Sequence, residues 1–88
     1  MASLKYNGPE LARLVFDYTD SNGVVTTHHL SFGKRGYILR RIDVADYVEG
    51  SRVKGAWKRF RRIEGDVNEE VEAWRNAYRS KGWRELRN

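Results

Sequence analysis

An α+β fold, with four or five antiparallel strands followed by one C-terminal amphipathic helix, is what the sequence predicts. Three observations carry that expectation. Apolar residues alternate at period two early in the chain, Asn-Gly and Gly-x-x-Gly connections punctuate the extended runs, and beyond Asp66 the period changes to three and four. A strand places successive side chains on opposite faces, whereas a helix brings residues three and four apart together.

The elements follow in order. Residues 1–10 form a lead-in segment containing Asn7-Gly8-Pro9, whose proline favours an extended or turn conformation. Leu11 to Tyr18 reads as the first strand, with Leu14, Phe16 and Tyr18 on one face. Asp20-Ser21-Asn22-Gly23 is a turn, because Asn-Gly tolerates two positive φ angles, and Val24 to Phe32 is the returning strand. Gly33-Lys34-Arg35-Gly36 makes a second tight connection into Tyr37 to Val44. There Ile38, Ile42 and Val44 share one parity while Tyr37 and Leu39 take the other, as in a bulged strand or one covered on both faces. After a turn at Glu49-Gly50-Ser51, Arg52 to Ile63 supplies a fourth strand, and a fifth if Gly55 breaks it.

The helix is signalled at both ends. Asp66 is an N-cap with Glu69 three residues later, and Val67, Val71, Trp74 and Tyr78 form a single stripe. Glu69, Glu70 and Glu72 crowd its start and Arg75, Arg79 and Lys81 its end, which complements the helix dipole. Gly82 is a natural stop. The chain thus divides into the lead-in at 1–10, a β-rich core at 11–63, a helix at 66–82 and a tail at 83–88, all in one domain.

Bulk properties narrow the function classes. With 88 residues, a net charge of +5 and no cysteine, the chain has one small core and no disulfide or thiolate metal site, and it favours an anionic partner. No apolar run is long enough to span a bilayer and the N-terminus has no apolar signal core, so a cytoplasmic location is expected.

The functional argument centres on Arg52 to Ile63. Arg52, Lys54, Lys58, Arg59, Arg61 and Arg62 surround Trp57 and Phe60 with no carboxylate among them. Arginine forks to phosphate and stacks on bases, so this composition suits nucleic acid, DNA or RNA. Lys34, Arg35, Arg40 and Arg41 extend the same positive field. The bland alternative is an edge strand whose charge prevents sheet-to-sheet aggregation.

Three pieces taken together resemble the small β-barrel of WYL domains. They are Val15-Phe16-Asp17-Tyr18-Thr19-Asp20-Ser21-Asn22-Gly23, Tyr37-Ile38-Leu39-Arg40-Arg41-Ile42-Asp43 and Lys58-Arg59-Phe60-Arg61-Arg62-Ile63. The Trp-Tyr-Leu tripeptide itself is absent. The resemblance implies a small SH3- or Sm-like barrel in place of an open sheet, sensing nucleic acid or a nucleotide-like ligand. It also implies that Arg59, Arg61 and Arg62 face that ligand and that Phe60 lies in the core.

Other chemistry finds little support. His28 and His29 are adjacent on a strand and point to opposite faces, so they cannot chelate one metal; one is expected half-buried and the other solvated. Of Asp17, Asp43, Asp46 and Glu49 only Asp43 and Asp46 lie close enough in sequence for an acid/base pair, and a carboxylate near Arg40 or Arg41 reads as a cross-strand ion-pair partner. Ser31 and Ser51 lack a nucleophile motif, so neither catalysis nor a cofactor is expected. Trp74 belongs to the core and Trp57 is favoured there over a stacking role.

The expected site is therefore Lys54, Lys58, Arg59, Arg61 and Arg62, with Arg40, Lys34 and Arg35. From a different class comes a protein-protein adaptor or inhibitor, such as a phage or mobile element encodes, acting through the Trp83 tail or an exposed strand edge. Convergence of the cations on one concave face favours nucleic acid; scattered cations with an apolar patch around Trp83 favour the adaptor.

Overall fold

The computed structural model describes residues 9–86, so most of the expected lead-in at 1–10 and the last two residues of the tail lie outside the described residues. The elements are β1 (Glu10–Thr19), β2 (Val24–Gly33), β3 (Tyr37–Asp46), β4 (Ser51–Val53), β5 (Lys58–Arg62), α1 (Val67–Ser80) and β6 (Arg84–Leu86). They form a six-stranded antiparallel sheet in the order β4-β3-β2-β1-β6, with β5 also paired to β3. The fold is α+β, and the sheet is open: β6 lies at one edge and β4 and β5 share the other, so no barrel closes.

The break expected at Gly55 gives five strands, and the tail adds a sixth. Gly55 does divide the basic stretch, because its N–H turns to the Asp43 carboxylate at 2.9 Å and its backbone approaches the Ile42 carbonyl too closely to admit a Cβ. The tail is the one departure. Arg84 to Leu86 pairs with β1, setting Val15 against Leu86 and Asp17 against Arg84. Three residues are too few to show a period, so this strand is silent in the sequence.

The β1–β2 turn also differs from the expectation. Gly23 alone takes a positive φ, at 81°, and Asn22 does not. The Asp20 carboxylate accepts from the N–H groups of Asn22 (2.8 Å) and Val24 (3.0 Å), while Gly23 donates to the Asp20 carbonyl. That is a type I turn closed by a left-handed glycine, which needs one positive φ and not two.

Both ends of α1 follow the sequence signals. Asp66 accepts from Asn68 and Glu69, and Gly82 turns left-handed at φ 88°. Gly82 donates to the Arg79 carbonyl (3.0 Å) and Trp83 to that of Tyr78 (3.1 Å), the paired bonds of a Schellman stop. The accompanying contact is aromatic: the rings of Trp83 and Tyr78 meet edge to face at 5.1 Å.

The core lies between α1 and one face of the sheet. Leu14, Phe16, Leu30, Phe32 and Ile38 are buried there with Tyr78, and Trp74, Val71, Val67 and Trp83 pack against them. Tyr78 stacks on Phe16 with centroids 4.3 Å apart and planes within 6°. The registers Leu14↔Leu30 and Phe32↔Ile38 keep all these side chains on the helix side. In β3, Ile38 and Leu39 are both buried although they point to opposite faces, which accounts for the broken alternation there.

Two aromatics sit elsewhere than expected. Trp57 is half-buried outside the core cluster, on the face away from the helix, with the guanidinium carbons of Arg13 and Arg41 at 5.0 and 5.5 Å from its ring. Phe60, placed in the core by the WYL resemblance, is 39% exposed. The register slips at this point: Leu39 pairs with Arg59 and Ile38 with Arg61, leaving Phe60 as the bulged residue. Among the described residues no helix is long and apolar enough to cross a membrane.

Candidate nucleic-acid interface

Strand parity and the bulge in β5 divide the expected cations between two faces. Arg40 shares the helix side with Ile38 and Ile42, and its neighbour across the strands is Lys58. These two residues, with Ile42, Gly55, Ala56, Arg59 and Phe60, line an open cleft of about 320 Å³. The break at Gly55 forms one wall. Phe60 forms another, with the Arg40 guanidinium 4.5 Å above its ring and Trp74 meeting it at 5.4 Å in a T arrangement.

Beside this cleft lies a hollow of about 240 Å³, lined by His28, Arg40, Trp74, Ala77, Tyr78, Lys81 and Trp83. Arg40 borders both. Among the described residues neither lining contains a carboxylate. Within the hollow, His28 Nδ1 lies 2.7 Å from the Tyr78 hydroxyl, and the His28 ring lies 4.5 Å from that of Trp83. Burial, reinforced by the Arg40 charge, holds the His28 pKa below its ordinary value, so the ring is neutral at physiological pH. Burial also pushes the Tyr78 hydroxyl up, which keeps it protonated.

The other expected cations are placed differently. Arg59 borders the cleft, but its guanidinium carbon sits 4.2 Å from the centre of the Tyr37 ring on the far face. Arg62 joins it there at 5.0 Å and donates to the Tyr37 hydroxyl. Lys34 and Arg35 are exposed in the β2–β3 turn, and Lys54 is exposed in the break between β4 and β5. Arg61 is engaged internally: it donates twice to Glu70, at 2.8 and 3.0 Å, and lies against Trp74. The eight residues therefore do not converge on one concave face; three of them, Arg40, Lys58 and Arg59, border the cleft, and the Arg59 charge is turned away to Tyr37.

In the hollow every lining residue except Arg40 was outside the expected set. His28, Trp74, Lys81 and Trp83 complete the hollow, and a local signal existed for two of them, since Lys81 and Trp83 flank the helix-ending Gly82. Trp83 is half-buried, and its ring packs against Tyr78, His28 and Tyr18.

On the far face a second polar group has a structural part. Asp43 accepts from Arg41 (2.8 Å) and lies 3.1 Å from His29 Nε2, while its other oxygen takes the Gly55 N–H. Burial acts to raise the Asp43 pKa, yet the Gly55 N–H and Arg41 together hold it below the usual carboxylate range. Both histidines are half-buried, on opposite faces, so neither is the solvated one expected. Among the described residues no group of three His, Cys, Asp or Glu is placed to hold a metal ion. No family model, curated protein or solved structure matches this chain.

Proposed function

We propose that the protein is a small non-catalytic module that binds nucleic acid through the helix-side cleft and hollow. The observation that carries this reading is the composition of the shared lining: Arg40 and Lys58 beside Phe60, then Lys81 beside Trp74 and Trp83, with no carboxylate. Cations without internal acidic partners retain their attraction for phosphate, and aromatic walls give bases a surface on which to stack. Arg40, Lys58 and Lys81 form no ion pair among the described residues, unlike Arg61, Arg75, Arg79 and Arg84.

The test is a fluorescence-polarisation titration of labelled oligonucleotides at about 50 and 200 mM salt, where phosphate contacts make affinity fall steeply. Binding that weakens with salt, and is lost in a folded Arg40→Ala/Lys58→Ala variant, is expected. Absence of binding at the lower salt overturns the reading.

A second reading, a protein-protein adaptor, has one observation in its favour. Tyr47, Val48 and Val53 are 66%, 77% and 64% exposed around the β3–β4 turn, beside an edge strand. On that reading Tyr47→Ser/Val53→Ser abolishes partner binding, while the Arg40 and Lys58 variants retain it.

A further inference from the structure

We propose that the cleft and the hollow are two halves of one site, which takes a single-stranded dinucleotide step with its phosphodiester on Arg40. The inference rests on the nucleic-acid reading and specifies the form of ligand. Among the described residues Arg40 alone is common to both linings. Its guanidinium is held over Phe60 on the cleft side and stands beside the Tyr78 hydroxyl on the hollow side. It has five N–H donors in a planar fork suited to a phosphate, and no carboxylate among the described residues pairs with it.

The lining repeats in kind. Lys58 and Phe60 belong to the cleft, Arg40 to both depressions, and Trp74, Trp83 and Lys81 to the hollow. Cation, aromatic, shared cation, aromatic, cation matches the phosphate–base alternation of a polynucleotide. The volumes, about 320 and 240 Å³, fall near or below the small end of ligand pockets, so each half accommodates one nucleoside and not an extended chain. In a duplex the bases are stacked and paired inward and cannot enter either half. A single strand can splay two successive bases into them. His28 and Tyr78, hydrogen-bonded to each other at 2.7 Å, also line the hollow.

The test uses the intact protein and competition against a labelled thymidine or uridine hexanucleotide, in deoxyribose and ribose form. The competitors are the 5′-phosphorylated mononucleotide, the dinucleotide, the unlabelled hexanucleotide and a duplex. Affinity should rise about tenfold or more from mono- to dinucleotide, as stacking of a second base provides, and then level off. The duplex should compete worse than the single strand. Arg40→Ala should remove the gain from the second nucleotide. Lys81→Ala, a change at an exposed position that leaves the core intact, should lower hexanucleotide affinity and reduce the salt slope by about one. Equal affinity for mono- and dinucleotide, or a duplex that competes as well as the single strand, overturns the dinucleotide site while leaving a nucleic-acid interface. Absence of hexanucleotide binding overturns both.

Discussion

Arg61 and Glu70 face each other across the β5–α1 junction in a two-pronged ion pair, with Nη2–Oε1 at 2.8 Å and Nη1–Oε2 at 3.0 Å. Glu70 is buried, and its remaining valences take the Trp74 indole N–H and the Glu64 backbone N–H. The pair fastens the first turn of the helix to the basic strand. Arg61→Ala leaves that carboxylate without its main partner and should cost about 2–3 kcal/mol, toward the low end for a buried pair because the arginine is partly solvated. Arg59→Ala, which removes only an exposed contact over Tyr37, should change stability by less than about 0.5 kcal/mol. Urea denaturation of the two variants checks this, and equal midpoints refute the clamp.

The same pair sets an acid limit to stability. Arg61 holds the Glu70 pKa below its ordinary 4.5, so the native state binds this proton less readily than the unfolded chain. Its contribution is fully present above pH 4.5 and is lost as pH falls through the depressed value. His28 and His29 act higher up, because burial holds both below 6.5 and the unfolded chain protonates first. Their contribution is present above pH 6.5 and declines below it. Acidification should therefore erode stability in two stages. Glu70→Gln should make the lower stage shallower without removing it, because Asp43 and Glu85 are also held below their ordinary values, and His28→Gln with His29→Gln should flatten the upper. Chemical denaturation from pH 7.5 to 3 reads both, and a single stage beginning below 4.5 excludes the histidine contribution.

Gly55 has a different kind of constraint. A Cβ there would run into the Ile42 carbonyl, which is backbone and cannot swing aside. Gly55→Ala should shift the break between β4 and β5 and lose the Gly55 N–H bond to Asp43. An expected loss of about 2 kcal/mol accompanies a change in the cleft, because Gly55 lines it. By contrast, Gly36→Ala meets no atom within 4 Å and pays only for its positive φ, about 1 kcal/mol. Thermal midpoints of the two variants in that order check the assignment; the reverse order refutes it.

The parts of this fold that the sequence discloses are those with local causes. Asp66 and Gly82 mark the helix ends through their own backbone chemistry, and the period-two run Leu14, Phe16, Tyr18 marks β1. Arg40 was legible too, since it shares parity with Ile38 and Ile42 and must lie on their face. What escaped depends on register between distant segments. Whether Phe60 is core or surface follows from one bulge against Ile38 and Leu39, and the fate of Arg61 depends on Glu70 meeting it across a turn. β6 exists because the Schellman stop aims the chain back along β1, a direction that no composition encodes. Dense positive charge in one segment therefore singles out β5 but does not say which of its cations are engaged internally, as Arg61 is by Glu70.

The turn at Gly82 links the stability of the helix end to the integrity of the hollow. Trp83 is the residue that makes both: its N–H closes the Schellman bond to Tyr78, and its ring packs on Tyr78 and His28 while lining the site. Trp83→Ala should cost about 2 kcal/mol, below the range for a fully buried aromatic because the ring is only half-buried. Gly82→Ala strains the left-handed backbone at φ 88° but keeps the ring, so it should cost about 1 kcal/mol. Both changes loosen the return into β6, and hydrogen exchange at the backbone amides that pair Val15 with Leu86 should accelerate in each. Oligonucleotide affinity separates them. Gly82→Ala should retain most of it, whereas Trp83→Ala should lose about tenfold, the value of one stacked base. If the two variants lose affinity in proportion to their lost stability, Trp83 acts only as a helix stop and the stacking surface lies elsewhere.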